Sequence, residues 1–295
     1  MDSKSYDNYS GKFNLNNYTE PVKRCHQYIK NFIINRFSKN IDLLIDIGSG
    51  RGHDYEAWHD VNIKKVIGIE PSESSIISAI KKYIKQSKNN KYPRINYIRA
   101  TGNGLWYNGS GGLDDKAKIN LKNIFKKSVN ADCIHMFWTI HYCMNTKKDF
   151  LDLFYNIDTN LKIGGKVIIL SMNGKLIHKM LKKYNGSYQN KDENGNILFE
   201  LNSYYDLNSN KLKPYGNIIG VKLAGTYGLD NEIKENLVTN NFLINFFTKR
   251  KYKLELEDNF IHYATTNNIE CINFFNIYQK RISAFYDILI FEKTH

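Results

Sequence analysis

Two acids, Asp46 and Glu70, bracket three closely spaced glycines, Gly48, Gly50 and Gly52. Glycine has no Cβ and takes positive φ without penalty, so such a turn lets a ligand approach the backbone. An acid about 20 residues beyond the turn, at the tip of the next strand, suits a ribose diol. Glu70 stands there. A nicotinamide-type GxGxxG loop would place its third glycine at position 53, where this chain has His53, and it would leave Asp46 unexplained. An acid two residues before the first glycine instead fits a ligand that carries a positive amino group beside the loop. A second set of polar groups, His141 and Tyr142, follows the apolar run 131–138.

These residues need a βαβ frame. Apolar runs at 43–47 and 66–69 predict two parallel strands around the glycine loop. Val22, Cys25, Tyr28, Ile29, Phe32 and Ile33 have helical spacing after Pro21, which places Lys30 on a helix over 21–37. Pro71 and Ser72 signal the start of a helix over 72–86, and 95–99 reads as a third strand. Its following loop, 101–112, holds Asn103 where an adenine amino edge could be met. A charged helical segment over 113–130 leads to a doubly buried strand at 131–138, so residues 139–142 fall at the carboxyl end of the sheet, where ligands bind in open α/β folds. A helix over 147–161, with Gly164 and Gly165 as its stop, is followed by a strand at 166–170 and a crevice loop at 171–174. The alternation predicts a doubly wound sheet. Residues 184–230 break it with short alternating runs among glycines, an inserted β-rich lid or substrate wall over the crevice. A helix over 231–249 then carries Glu235, and 252–257 and 286–291 read as closing strands.

The 295 residues suffice for one large domain with insertions, and 42% hydrophobic content supports its core. A net charge of +13 points to a polyanion, nucleic acid before acidic membrane. Abundant Asn, Ile, Lys and Tyr, as AT-rich coding gives, account for part of that excess. Cys25, Cys133, Cys143 and Cys271 show no CxxC pairing and no companion histidine spacing, so structural zinc is not expected and the compartment reads as reducing. No apolar run approaches the roughly 20 residues that cross a bilayer, so a soluble, cytoplasmic protein is expected. Residues 1–20 read as a polar arm in which Phe13 and Tyr18 are either lid aromatics or exposed linker residues.

The glycine loop, with Asp46 before it, resembles motif I of the S-adenosylmethionine (SAM)-dependent methyltransferases, and Glu70 the ribose acid of motif II. The ordered blocks HQYIK (26–30), DIGSGRGHD (46–54), FWTIHY (137–142), GGKVIILSMNGKLI (164–177), EIKENLV (232–238) and FYDILIFEK (285–293) are similar to the mRNA cap guanine-N7 methyltransferases. The variant SMNGKLI is most similar to the carboxyl-terminal domain of poxviral and asfarviral capping enzymes.

That resemblance implies a class I, Rossmann-like α/β fold with a seven-stranded, mostly parallel sheet. It implies a single methyltransferase domain over 1–295 that acts with SAM and without a metal, in the host cytoplasm or a virion. It assigns Lys30, Asp46, Gly48, Gly50, Asp54 and Glu70 to SAM, with Asn103 and Phe137 beside it. His141, Tyr142, Glu235 and Tyr286, with Arg51 and Met172, would meet the cap guanine. No residue is expected to act as acid or base, because N7 has an available lone pair. Arg51 stands in place of the usual lysine, His26 of an asparagine, Phe137 of a glutamine and Met172 of a proline. The implied partners are capped RNA, preceding triphosphatase and guanylyltransferase domains and a stimulatory subunit, with no membrane. A ribose 2′-O-methyltransferase and an inactive RNA-binding subunit remain the alternatives.

Overall fold

The computed structural model describes residues 19–87, 93–209, 212–223 and 232–295. The arm at 1–18, with Phe13 and Tyr18, and parts of the insert lie outside the described residues.

The chain runs α1 (Glu20–Phe37), β1 (Leu43–Ile47), α2 (Tyr55–Asp60), β2 (Lys65–Glu70), α3 (Glu73–Gln86), β3 (Arg94–Arg99), α4 (Asp115–Ile124) and β4 (Ala131–Phe137). A 3₁₀ turn (Ile140–Cys143), α5 (Lys147–Asn160), β5 (Leu161–Met172) and α6 (Gly174–Lys183) complete the alternating part. β6 (Ser187–Lys191), β7 (Ile197–Ser203), β8 (Ile218–Leu223) and β9 (Ile233–Asn236) follow. The chain closes with α7 (Asn240–Thr248), β10 (Tyr252–Asn259), α8 (Phe260–Thr266), a 3₁₀ turn (Glu270–Phe274), α9 (Ile277–Ser283) and β11 (Tyr286–Lys293).

The main sheet has seven strands in the order β10-β11-β5-β4-β1-β2-β3. β1 to β5 pair in parallel, while β11 is antiparallel to both β5 and β10. Alternation along β1 explains the two cores: Leu44 packs into the cluster under α1, α2 and α8, whereas Ile45 and Ile47 pack into the one under α5 and α7. A strand buried on both faces needs covering layers on both sides, and the apolar faces of these helices supply them. Local signals set the helix starts: Ser72 accepts from Ser75 N at 3.1 Å, and Thr146 with Asp149 forms a capping box.

A second, antiparallel sheet, β6-β7-β8-β9, is the β-rich insert. Here the expected helix over 231–249 is corrected. Ile233 and Glu235 are buried while Lys234 is exposed, a period of two that pairs β9 with β8, and the helix begins only at Asn240. The expected glycine stop at 164–165 also differs, since α5 ends at Asn160 and both glycines lie within β5. The segment over 113–130 forms a shorter helix, α4.

The cysteine expectation is corrected too, since Cys25 on α1 and Cys271 in the second 3₁₀ turn are joined by a disulfide. No local spacing announces it because 246 residues separate the two cysteines. Among the described residues no helix is long and apolar enough to cross a membrane. Closing a long loop of the unfolded chain stabilises the fold, so Cys271→Ser is expected to cost about 2–4 kcal/mol under oxidising conditions. A lowered urea midpoint checks this, and an unchanged one would contradict it.

Candidate active site

The carboxyl ends of the parallel strands open into a cleft of about 650 Å³. Asp46 lies one residue before the end of β1, and the loop beyond the strand turns through Gly48, with φ +79°. Any side chain there would run into Thr139, so a residue larger than glycine is excluded by space as well as by backbone conformation.

One flank is a cluster of buried charges. Lys30 Nζ lies 2.5 Å from Asp54 Oδ1, which also accepts from Gln27 Nε2 at 3.0 Å. The Lys30 ammonium sits 5.5 Å from the Phe137 ring centre and 5.4 Å from that of Trp138. Glu70 accepts from the backbone N–H of Gly50 and of Ser72, each at 2.8 Å, which pins the glycine loop to the tip of β2. Burial pushes the Asp46 carboxyl well above its usual range, and the neighbouring Asp54 and Glu70 add to this against Lys30. Burial acts the same way on Asp54, but there Lys30 prevails and the carboxyl ends below its usual range. Buried carboxyl groups gathered beside the glycine loop fit a ligand with positive groups, such as the ammonium and sulfonium of SAM.

The other flank is aromatic and neutral. His141 and Tyr142 occupy the 3₁₀ turn after β4, Met172 ends β5, Tyr286 opens β11 and Glu235 faces them from β9. His141 Nε2 lies 3.5 Å from Glu235 Oε1 and has no hydrogen-bond partner. Burial lowers the histidine pKa to about 3 and raises that of Glu235 to about 8, partly relieved by a hydrogen bond from Tyr142. At neutral pH this is therefore a contact between uncharged groups and not an ion pair.

Every residue that the resemblance assigns to SAM or to the guanine lines this one cleft, Asn103 and Arg51 included, whereas Gly52 does not. Asn103 donates to Asp149 Oδ1 at 3.2 Å.

Sequence reasoning missed several supports. His26 was noted only as a substitution; its Nε2 is 2.8 Å from Ser283 Oγ, and its ring meets Tyr286 edge-on at 5.1 Å. Trp138, at φ +53°, carries the backbone strain that turns the chain from β4 into the cleft. Asp287 is a buried hub: it accepts from Asn240 Nδ2 at 2.8 Å and Asn259 Nδ2 at 3.3 Å, and Asn173 also bonds to it. It thus ties Tyr286 to the segments that follow Glu235 and Met172. Membership of the FWTIHY and FYDILIFEK blocks was the available signal for Trp138 and Asp287.

A family model described as the mRNA (guanine-N(7))-methyltransferase domain matches residues 10–284. The chain belongs to this family. A "Probable mRNA-capping enzyme" of Acanthamoeba polyphaga mimivirus is 28% identical over 294 residues, covering 90% of this chain and 23% of that protein. The mRNA cap guanine-N(7) methyltransferase of Saccharomyces cerevisiae is 25% identical over 243 residues, covering 80% of this chain and 51% of its own. The chain therefore spans under a quarter of the viral relative and about half of the yeast one. A SAM-dependent methyltransferase from Clostridium acetobutylicum superposes with a TM-score of 0.52 at 11% identity, covering 92% of this chain and 91% of that one. The fold of this guanine-N7 methyltransferase domain is thus that of the SAM-dependent methyltransferases.

Because a cationic ligand favours ionised Asp46, SAM binding to this methyltransferase domain is expected to release protons and to weaken as the pH falls. Calorimetry in two buffers of different ionisation enthalpy checks the release, and equal heats would contradict it. Asp46→Ala and Glu70→Ala are each expected to weaken SAM at least tenfold, given about 1.5–3 kcal/mol for a hydrogen bond to a charged group.

Proposed function

We propose that this chain acts as one methyltransferase domain that transfers a methyl group from SAM to N7 of the guanine cap of mRNA, turning GpppRNA into m7GpppRNA. The observation that carries the reading is the buried carboxyl of Glu235, opposite His141, Tyr142 and Tyr286 in the cleft that holds the acid pair Asp46 and Glu70. Guanine presents N1–H and a 2-amino group side by side, and a carboxylate accepts both. Adenine offers no such pair.

When bound, SAM supplies an electrophilic methyl group on a sulfonium. The residues of the chain bind and orient: Asp46 and Glu70 face the donor, with Lys30 fixing Asp54 beside them, and Arg51 stands at the glycine loop. Asn103 and Phe137 fall on the donor side of the cleft, and Met172 on the guanine side. Guanine N7 has a free lone pair at neutral pH, so no residue must take a proton and the gain comes from proximity and orientation. The antiparallel sheet β6-β7-β8-β9 supplies the wall that carries Glu235. The GpppRNA substrate would come from triphosphatase and guanylyltransferase domains of a longer capping enzyme, acting in the cytoplasm or a virion, with or without a stimulatory subunit.

Glu235 sets a pH dependence. Its folded pKa, about 8, lies above the ordinary 4.5, so its contribution to the stability of the ligand-free fold is present at acid pH and lost as the pH rises through 8. Guanine needs the ionised form, so cap affinity should rise about tenfold from pH 6 to pH 7 and level off above the folded value. Glu235→Gln should flatten that profile and leave SAM affinity unchanged, as equilibrium binding of GpppG and SAM would reveal. Incubating labelled SAM with GpppRNA, followed by nuclease digestion, should place the label on N7. Label on a ribose would overturn the reading in favour of 2′-O methylation.

A further inference from the structure

Between Asp158 and Asp192 the chain has no acidic residue and seven lysines. Lys162 and Lys166 are committed to ion pairs with Asp132 and with Glu255 and Glu292. Four of the others sit on α6, where Lys175, Lys179 and Lys183 recur every four residues on one exposed face. Among the described residues no carboxylate pairs with these three. A rise of 1.5 Å per residue sets them about 6 Å apart along the axis, on the order of the separation of successive phosphates in an extended single strand.

Where α6 ends, the exposed Tyr184 ring lies 5.5 Å from Lys183 Nζ and 5.1 Å from the Tyr188 ring. The strip starts near the cleft, since α6 begins two residues after Met172, which lines it.

We propose that the lysine face of α6, continued by Tyr184 and Tyr188, docks the single-stranded RNA that follows the cap, with lysines on phosphates and tyrosine rings under bases. This rests on the cap-methylation reading and extends it to the body of the transcript. Charge complementarity selects a polyanion, and the exposed ring of Tyr184, backed by the half-buried Tyr188, selects one with flat bases. A membrane surface fits less well, because Ile177 and Leu181, the apolar face of α6, are already buried in the core and cannot insert.

The test compares the dinucleotide GpppG with a capped oligoribonucleotide as methyl acceptors for the purified chain. Lys175→Glu/Lys179→Glu/Lys183→Glu is expected to raise KM for the capped oligonucleotide about tenfold and to reduce the slope of log KM against log salt by about 2. GpppG methylation should stay unchanged in this variant. The neutral Lys175→Gln/Lys179→Gln/Lys183→Gln and Tyr184→Ala should give smaller losses in the same order. An unchanged oligonucleotide KM, or equal losses on both acceptors, would overturn the proposal. Should the wild type methylate neither acceptor, the cap reading fails, and anisotropy with an uncapped labelled oligoribonucleotide still decides the strip. Tighter binding by the wild type than by the charge-reversed variant supports the strip; equal or absent binding, or loss only of an acidic protein ligand, defeats it.

Discussion

The cleft depends on a cluster of buried carboxyl groups beside the glycine loop. Asp46, Asp54 and Glu70 are each less than a tenth exposed, and Lys30, equally buried, spends itself on Asp54. Such a group of like charges is unfavourable in a medium of low polarity unless backbone donors and a counter-charge are fixed nearby. The fold fixes both. Parallel strands β1 and β2 end side by side, so the N–H groups of Gly50 and Ser72 reach Glu70, while α1 crosses above to bring Lys30. The result is a set of oriented acids at the place where the glycine loop lets a ligand approach.

The aromatic flank of the cleft works by the opposite principle. There the groups are neutral, held apart from water and oriented by neighbours that never touch the cleft. Asp287 ties the start of β11 to Asn240, Asn259 and Asn173, and the backbone N–H of Gly174 donates to Val238 O at 2.9 Å. Tyr286, Met172 and Glu235 come from three distant stretches of chain, and this network sets their separations. Burial also pushes the Asp287 carboxyl up to about 6, so the brace itself is near the edge of its ionised range at neutral pH.

Most of the parallel half was legible from residues alone. Continuous apolar runs bounded by glycine and acid mark β1, β2 and β4, and the topology then forces His141 and Tyr142 to the carboxyl edge. Glu235 was legible only by resemblance. Ile233, Leu237, Phe242 and Leu243 mimic helical spacing, and β9 is four residues long, too short for its own period to stand out. Gly164 and Gly165 suggested a stop, yet α5 ends where Asn160 turns its side chain back to Asn156 O, and the glycines instead serve the irregular start of β5. The cystine left no trace, and of the Asp287 hub only its block membership showed, because both join residues that only the tertiary fold brings together.

Glu235 belongs to the antiparallel sheet, whereas Asp46 and Glu70 lie on parallel strands of the main one. The carboxyl proposed to read the guanine edge thus rests on a different piece of architecture from the acid pair proposed to meet the donor. A related chain could exchange its insert, keep the same engine and send its methyl groups to another address.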